Sequence, residues 1–304
     1  MPTYNGAAHL RAALESVRAQ ATGIELIAID DGSDDGTLAT LEQYSQVLPL
    51  RIVRRARSGN WVAGSNHGLS LARSEYACFL HQDDLWLPGR TSVLRRAVEA
   101  TPDAGLVVHP SWFVDERGER LGLWRCPLPA GKLAPQLVVQ RLIVQNFLAI
   151  PAPLFRRELA LRAGGMDESL WYTADWDFWL TLSRSGLVVH EPEPLAAFRV
   201  HGGSQTSQRT RDEAELRRQL EAVLNKHLAF AAGGNGHVHS AAAFSVDLNV
   251  ALAQALHHRR FPWARLLRKF LSLGPRGWHR FLRDSRIAER VVARLRRGFR
   301  LDPT

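Results

Sequence analysis

Tyr76-Ala77-Cys78-Phe79-Leu80-His81-Gln82-Asp83-Asp84-Leu85-Trp86 joins a compact apolar run to two adjacent carboxylates. Residues 76–80 read as a short buried strand, and Leu87-Pro88-Gly89 ends any strand and starts the next helix. Neighbouring carboxylates at the end of a buried strand are costly unless a divalent cation or an arginine meets them. In an open α/β sheet that end of a strand is also where ligands bind. A solvated Asp-Asp turn is the other reading of the dipeptide, and the rest of the chain has to choose between them.

Upstream, Ala7 to Gln20 reads as a helix, with Leu10, Leu14 and Val17 on one face. The apolar strand 24–29 runs into Asp30-Asp31-Gly32-Ser33-Asp34-Asp35-Gly36-Thr37, a loop whose four carboxylates no core could absorb. Ser33 or Asp34 can cap the following helix, which carries Leu38, Leu41 and Tyr44. A strand at 50–53 and a small-residue helix from Ala63 to Ala72 complete a β-α-β-α-β-α-β alternation, the pattern of a parallel, helix-covered sheet.

A chain of 304 residues can bury one large core, or one core with an appendage. No run of 18 apolar residues occurs, and the first residues lack the features of a signal peptide. Cys78 and Cys126, the only cysteines, have no metal-ligand spacing and read as reduced thiols of a cytoplasmic protein. The net charge of +9 is uneven. From Arg259 onward 14 lysines and arginines face three acidic residues, a local +11 that leaves −2 for residues 1–258. The basicity therefore belongs to a tail, suited to an anionic surface.

Five segments, in order, resemble the family 2 glycosyltransferases of the GT-A fold. They are PTYNG (2–6), IAIDDGSDDGT (27–37), SNHGLSLARSEYACFLHQDDLW (65–86), GGMDESLWYTADWDFWLTL (164–182) and FRVHGGS (198–204). The resemblance implies an α/β fold with a Rossmann-like, mostly parallel sheet covered by helices. It implies a catalytic domain over 1–205, with a nucleotide-sugar half at about 1–110 and an acceptor half at about 111–205. Residues 206–304 would form a helical, basic extension. One feature departs from the family: Met1 abuts Pro2, so the apolar strand expected before PTYNG is missing. Losing its buried aliphatic residues would forfeit roughly 1.5–3 kcal/mol each, which predicts a start further upstream or a trimmed chain.

Transfer from a nucleotide sugar requires recognition of the nucleoside, neutralisation of the departing diphosphate and deprotonation of the acceptor. Asp30 and Asp31, at a strand end, suit base and ribose recognition; by resemblance Asp31 contacts the nucleobase, with Thr3 and Asn5 lining the same pocket. The family's DXD motif maps onto His81-Gln82-Asp83. Asp83 keeps the position that ligates Mn²⁺ or Mg²⁺, while His81 replaces the usual first aspartate on the donor side. His201 matches a terminal histidine that reaches the metal or diphosphate, and Arg199 is either a phosphate partner or a strand-edge charge.

Thr173 reads as a helix N-cap, which places Asp175 in the first turn, where free N–H groups favour an ionised carboxylate. By resemblance Asp175 is the catalytic base, and Ala174 stands where the family carries a glutamate. Residue 177 points about 200° away and reads as structural. Trp171 and Trp176 are expected to face the acceptor and Trp179 the core. Asn146, Phe155, Arg156 and Gly164-Gly165-Met166-Asp167 shape the acceptor half by resemblance, without an assignable role.

The reaction implied is direct displacement with inversion, in the biosynthesis of bacterial cell-surface polysaccharide; HQDDLW resembles the rhamnosyltransferase segment. The expected donor is UDP- or dTDP-linked, and the acceptor a glycan or lipid-linked saccharide. Residues 259–300 interleave aromatic and aliphatic residues with arginines. They suit either the interface of an anionic membrane, placing the protein on the inner face of the plasma membrane, or packing on the catalytic domain. No nucleic-acid module accompanies the charge. His81 and Ala174 also fit a catalytically impaired sugar-nucleotide-binding scaffold, and the carboxylates fit a metal-dependent phosphohydrolase.

Overall fold

The computed structural model describes residues 1–202, 212–233, 236–258 and 261–300. Gly203 and Ser204 of the FRVHGGS segment, the expected boundary at 205/206, and Arg259 lie outside the described residues. The amino-terminal elements are β1 (Pro2–Thr3), α1 (Ala7–Arg18), β2 (Leu26–Asp30), α2 (Thr37–Ser45), β3 (Leu50–Arg54) and α3 (Trp61–Leu71). β1, β2 and β3 pair in parallel. Leu10, Leu14 and Val17 of α1 and Leu41 of α2 close one face, in a core with Leu26 and Ala28. On α3 a Cβ at Gly64 would lie 3.4 Å from Pro2 and one at Gly68 3.4 Å from Ile29, so the small residues let this helix sit close to the strands.

Pro2–Thr3, within the PTYNG segment, form a two-residue strand beside β2. Pro2 heads it, where no ladder N–H is needed. The ladder is carried by the carbonyls of Met1 and Thr3, which accept from Ile29 N at 2.8 Å and Asp31 N at 2.9 Å.

Next come β4 (Tyr76–Ala77), β5 (Leu85–Trp86), α4 (Arg90–Ala100), β6 (Ala104–Val108), β7 (Ser111–Val114), β8 (Arg120–Trp124), β9 (Gly131–Leu133) and α5 (Pro135–Leu142). β10 (Leu154–Arg156), α6 (Arg157–Arg162), α7 (Ala174–Ser185), β11 (Leu187–His190) and β12 (Ala196–Arg199) complete the sheets, in the orders β4-β10-β6-β11-β9 and β5-β12-β7-β8. Parallel pairing persists at β6–β11 and β7–β12, but the remaining ladders are antiparallel. The sheet is thus mixed beyond β3 rather than mostly parallel. The tight turn from Asp115 to Glu119 joins β7 to β8, and so short a connection permits only an antiparallel pair.

The predicted strand 76–80 shortens to β4, which pairs antiparallel with β10. Phe79 and Leu80 still alternate: Phe79 packs among Phe155, Phe178 and Trp179, whereas Leu80 joins the core under α1. Helices α8 (Glu213–Ala232), α9 (Gly236–His258), α10 (Trp263–Ser272), α11 (Gly274–Ser285) and α12 (Ile287–Arg300) follow. One apolar cluster runs from Phe155 and Trp179 through Leu220, Val223 and Phe244 to Leu266 and Phe281, so these helices share the core of the sheets. No described helix is long and apolar enough to cross a membrane.

Candidate active site

The PTYNG turn and the Asp-rich loop interlock, which explains most of the four carboxylates. Asp30 is buried and accepts from Ser33 N at 3.1 Å, Ser33 Oγ at 2.5 Å and Thr3 Oγ1 at 3.3 Å. Asp34 exchanges hydrogen bonds with Asn5, whose Nδ2 donates at 2.7 Å and whose Oδ1 accepts from Asp34 N at 3.0 Å. Asp35 accepts from Thr37 N at 2.8 Å and Ala7 N at 3.2 Å, serving the first turns of both α2 and α1. The helix cap expected from Ser33 or Asp34 is therefore supplied by Asp35, because the turn brings Gly36 to the N-cap position.

Asp31 alone of the four faces the large cavity of about 620 Å³. Its carboxylate organises the segment after β3, accepting from Ser58 N at 3.0 Å, Gly59 N at 2.8 Å and Arg57 Nη1 at 2.5 Å. Burial raises its pKa, yet these bonds outweigh that and hold the carboxyl below its ordinary value. The Arg57 guanidinium also lies 3.4 Å over the Tyr4 ring, forming a flat wall. Thr3, Asn5 and Asp31 thus meet at one end of the cavity, whereas the Asp30 side chain is turned into the loop and does not line it.

The second wall comes from residues 81–84. Gln82 behaves as a surrogate peptide: its Oε1 accepts from Tyr4 N at 2.9 Å and its Nε2 donates to Tyr4 O at 3.0 Å. A Cβ on Gly6 would fall 2.3 Å from this amide, so a side chain at position 6 would push Gln82 away from Tyr4. This lock was not read from the sequence, since residues 4 and 82 are brought together only by the fold.

His81, Asp83 and Asp84 offer ligand atoms within 4.8 Å of one another. β12 lies beside β5 and β7 and delivers His201, whose Nε2 is 2.8 Å from Asp83 Oδ2. Burial opposes charge on Asp83, but the contacts with His201 and His81 keep its pKa below the ordinary value. Burial and then the neighbouring Asp83 charge push Asp84 well above it. Asp84 Oδ1 accepts from Arg199 N at 3.0 Å, while Asp84 Oδ2 and His81 Nε2 are buried without a hydrogen-bond partner. Burial lowers the His81 pKa to about 4, leaving a neutral imidazole near pH 7. A neutral imidazole beside carboxylates, with polar atoms left over, is a donor set that suits a divalent cation. Arg199 is the clasp of this corner: it donates to the carbonyls of Asp83, Asp115 and Glu116 at 2.8–2.9 Å.

Asp175, in the first turn of α7, lines the same cavity. Its Oδ1 accepts from Trp176 N at 2.7 Å and its Oδ2 from Asn146 Nδ2 at 3.0 Å. Burial outweighs these bonds and raises its pKa to about 6. Thr173 occupies the N-cap position but its side chain makes no capping bond, so the predicted cap is absent and Asp175 itself binds the free N–H. Asn146, without a role in the sequence reading, is the residue that orients the carboxylate.

Trp171 lines the cavity, and its carbonyl accepts from Trp61 Nε1 at 3.0 Å. Trp176 reaches the cavity only from a buried position, with Nε1 donating to Leu142 O at 2.8 Å. Trp179 is in the core, as expected. Asp177 is also structural: it pairs with Lys226 and His227 of α8, each at 2.7 Å. The carboxy-terminal helices line the same cavity through Leu220, Asn249, Arg290 and Arg294, a contribution hidden in the sequence by the general basicity of the tail.

Residues 1–151 match the family model described as glycosyl transferase family 2. An uncharacterized glycosyltransferase of Rickettsia typhi is 27% identical over 213 residues, covering 68% of this chain and 64% of that protein. This chain therefore spans just under two thirds of that relative's length. An uncharacterized glycosyltransferase of Haemophilus influenzae is 24% identical, covering 71% of this chain and 73% of its own. Among solved structures, Staphylococcus aureus TarS 1–349 in complex with UDP-GlcNAc superposes with a TM-score of 0.59 at 18% identity, covering 90% of this chain and 88% of that one. The mannosyltransferase PcManGT of Pyrobaculum calidifontis, in complex with GDP-Man and Mn²⁺, gives 0.57 at 18% identity, covering 99% and 86%. These likenesses are to GT-A glycosyltransferases.

Proposed function

Residues 1–151 being a family 2 glycosyltransferase domain within a GT-A fold, we propose that the protein is an inverting transferase. It moves a sugar from a nucleotide-diphosphate sugar, UDP- or dTDP-linked, to a glycan or lipid-linked acceptor in cell-surface polysaccharide biosynthesis. One observation carries the reading: a single cavity is lined by the His81/Asp83/His201 corner, by Asp31 and by Asp175. The amino-terminal half to about 110 serves the donor. The half to about 205 serves the acceptor, together with the helices beyond it.

In this reading Asp31, Thr3 and Asn5 receive the nucleoside, and Arg57 with Tyr4 supplies a flat wall for its base. Asp83, with His201 and His81 beside it, would hold Mn²⁺ or Mg²⁺, which supplies charge neutralisation for the leaving diphosphate when bound. Asp175 takes the proton of the acceptor hydroxyl at its carboxylate, held in place by Asn146 and the Trp176 N–H. A pKa near 6 leaves that carboxylate ionised at neutral pH yet basic enough for the task. Trp171 and the edge of Trp176 give the acceptor sugar an aromatic face. The attack from Asp175's side, opposite the diphosphate, inverts the anomeric centre.

The ordered Asp83–His201 contact and the raised Asp175 favour this over the impaired scaffold, since both groups are set for use despite His81 and Ala174. The test is release of nucleotide from UDP- and dTDP-sugars with Mn²⁺ and a mixture of polyprenyl-linked and free saccharide acceptors. Asp175→Asn is expected to lower turnover by about 10²–10⁴-fold. Equal turnover in the variant would remove Asp175 from the mechanism, and binding without turnover in the wild type would favour the scaffold.

The basic helices fit a peripheral position on the cytoplasmic face of an anionic membrane, where a lipid-linked acceptor would be met. Leu266, Leu273 and Phe281 pack into the core. A second apolar row on α10, Trp263, Leu267 and Leu271, remains 74%, 58% and 56% exposed beside Arg265 and Arg268. Apolar residues exposed at helical spacing and flanked by arginines favour an interfacial helix.

A further inference from the structure

The cavity contains four arginines, and they are not alike. Arg57 is paired with Asp31, and Arg199 is bound to three main-chain carbonyls. Arg290 and Arg294, one helical turn apart on α12, line the cavity together with Trp124, Asn146 and Asp175. Among the described residues neither guanidinium makes a hydrogen bond or an ion pair, and the Arg290 charge reaches Asp175 only through space, lowering its pKa against the larger effect of burial. Arg290 lies with its guanidinium 5.4 Å from the Trp124 ring. Burial and the neighbouring Arg290 charge lower the Arg294 pKa to about 10.

This placement is held by the helix around them. Glu289 accepts from Arg125 N at 2.8 Å and pairs with the Arg125 guanidinium at 3.0 Å. Arg296 donates to Leu121 O at 2.7 Å, and Ala293 is buried against Phe113, Leu121 and Trp124. The fold thus anchors α12 on β8 on both sides of the two arginines and turns them into the cavity. Two like charges brought together in a partly dry site cost stability unless an anion joins them. Guanidinium forks match the geometry of phosphate and carboxylate.

We propose that Arg290 and Arg294 form an anion subsite on the acceptor wall that binds a phosphate, diphosphate or carboxylate group carried by the acceptor. The proposal rests on the transferase reading for the word acceptor, but the subsite itself can be tested without turnover. Phosphorylated acceptors and acceptors bearing an acidic sugar share this chemistry, and separate probes distinguish them.

The experiment measures thermal unfolding of the full chain in EDTA, without nucleotide, on titration with pyrophosphate or with glucuronate. At a probe concentration about 100 times its Kd the wild type is expected to gain about 5 °C with one of the two. Which one answers tells phosphate from carboxylate. The gain should vanish in R290Q/R294Q, weaken in R290K/R294K, and persist in Asp83→Asn. No gain with either probe, or equal gains in the wild type and both arginine variants, would overturn the subsite. A separate titration with UDP and Mn²⁺ checks the donor site: its failure would count against the transferase reading and leave the anion subsite standing.

Discussion

Asp175 has an ordinary carboxyl pKa of 3.8 raised to about 6, with burial as the largest cause. The folded state therefore holds this proton more tightly than the unfolded chain. Stability from this group is fully present below pH 4 and is lost as the pH rises through 6. At pH 8 the ionised side chain costs about 2–3 kcal/mol. Asp175→Asn should be more stable than the wild type by that amount at pH 8 and nearly equal to it at pH 4, measured by urea unfolding across pH. In turnover assays the wild type should gain activity as pH rises through about 6, the opposite direction to its stability. Asp83, Asp175 and His201 line one cavity, and the sequence drew attention to them through the resemblance of HQDDLW, TADWD and FRVHGGS, each a short contiguous segment. Asp30 was not legible in that way, since the choice between a ligand and a loop brace depends on where Ser33 and Thr3 fall in space. Asn146 was not either, because an asparagine 29 residues from its carboxylate carries no sequence signal.

At the scale of elements, α7 and α8 are joined by Asp177, held between Lys226 and the fully buried His227. Burial works against the charge, but the hydrogen bonds from His227 and Lys226 leave the Asp177 pKa below its ordinary value. Removing one partner of a buried pair strands the other, at a cost of about 3–5 kcal/mol. Asp177→Ala should lose about that much in chemical denaturation while the donor wall stays intact, so nucleotide binding below the unfolding transition should be unchanged. The alternation of strands and helices up to residue 71 was readable from periodicity. The two-residue β1 was not, because a strand this short depends on its partner's N–H groups rather than on its own apolar pattern. The mixed pairing beyond β3 was equally hidden, since β10 and β12 join strands far from them in sequence.

For the whole molecule, the apparent division between a neutral catalytic part and a basic tail conceals shared structure. The helices after residue 212 share the core and line the cavity. Charge counting registered the tail but could not separate Arg290 and Arg294, which face the cavity, from arginines on the outside. The exposed row on α10 predicts surface behaviour. Trp263→Ser with Leu267→Ser and Leu271→Ser should abolish cosedimentation with phosphatidylglycerol vesicles while leaving the melting temperature within about 2 °C, as expected of exposed positions. Equal sedimentation of the triple variant, or binding to neutral vesicles as strong as to anionic ones, would remove the membrane from this picture.

The central claim is that His81, Asp83 and His201 form a metal-dependent nucleotide-sugar site despite the histidine at the head of the motif. The most direct measurement is calorimetric titration of UDP, dTDP, GDP and CDP into the full chain, with and without Mn²⁺, repeated on Asp83→Ala. One nucleotide should bind the wild type in a Mn²⁺-dependent manner, and Asp83→Ala should lose that dependence. Binding that ignores Mn²⁺, or survives unchanged in Asp83→Ala, would contradict the assignment of this corner as the diphosphate site.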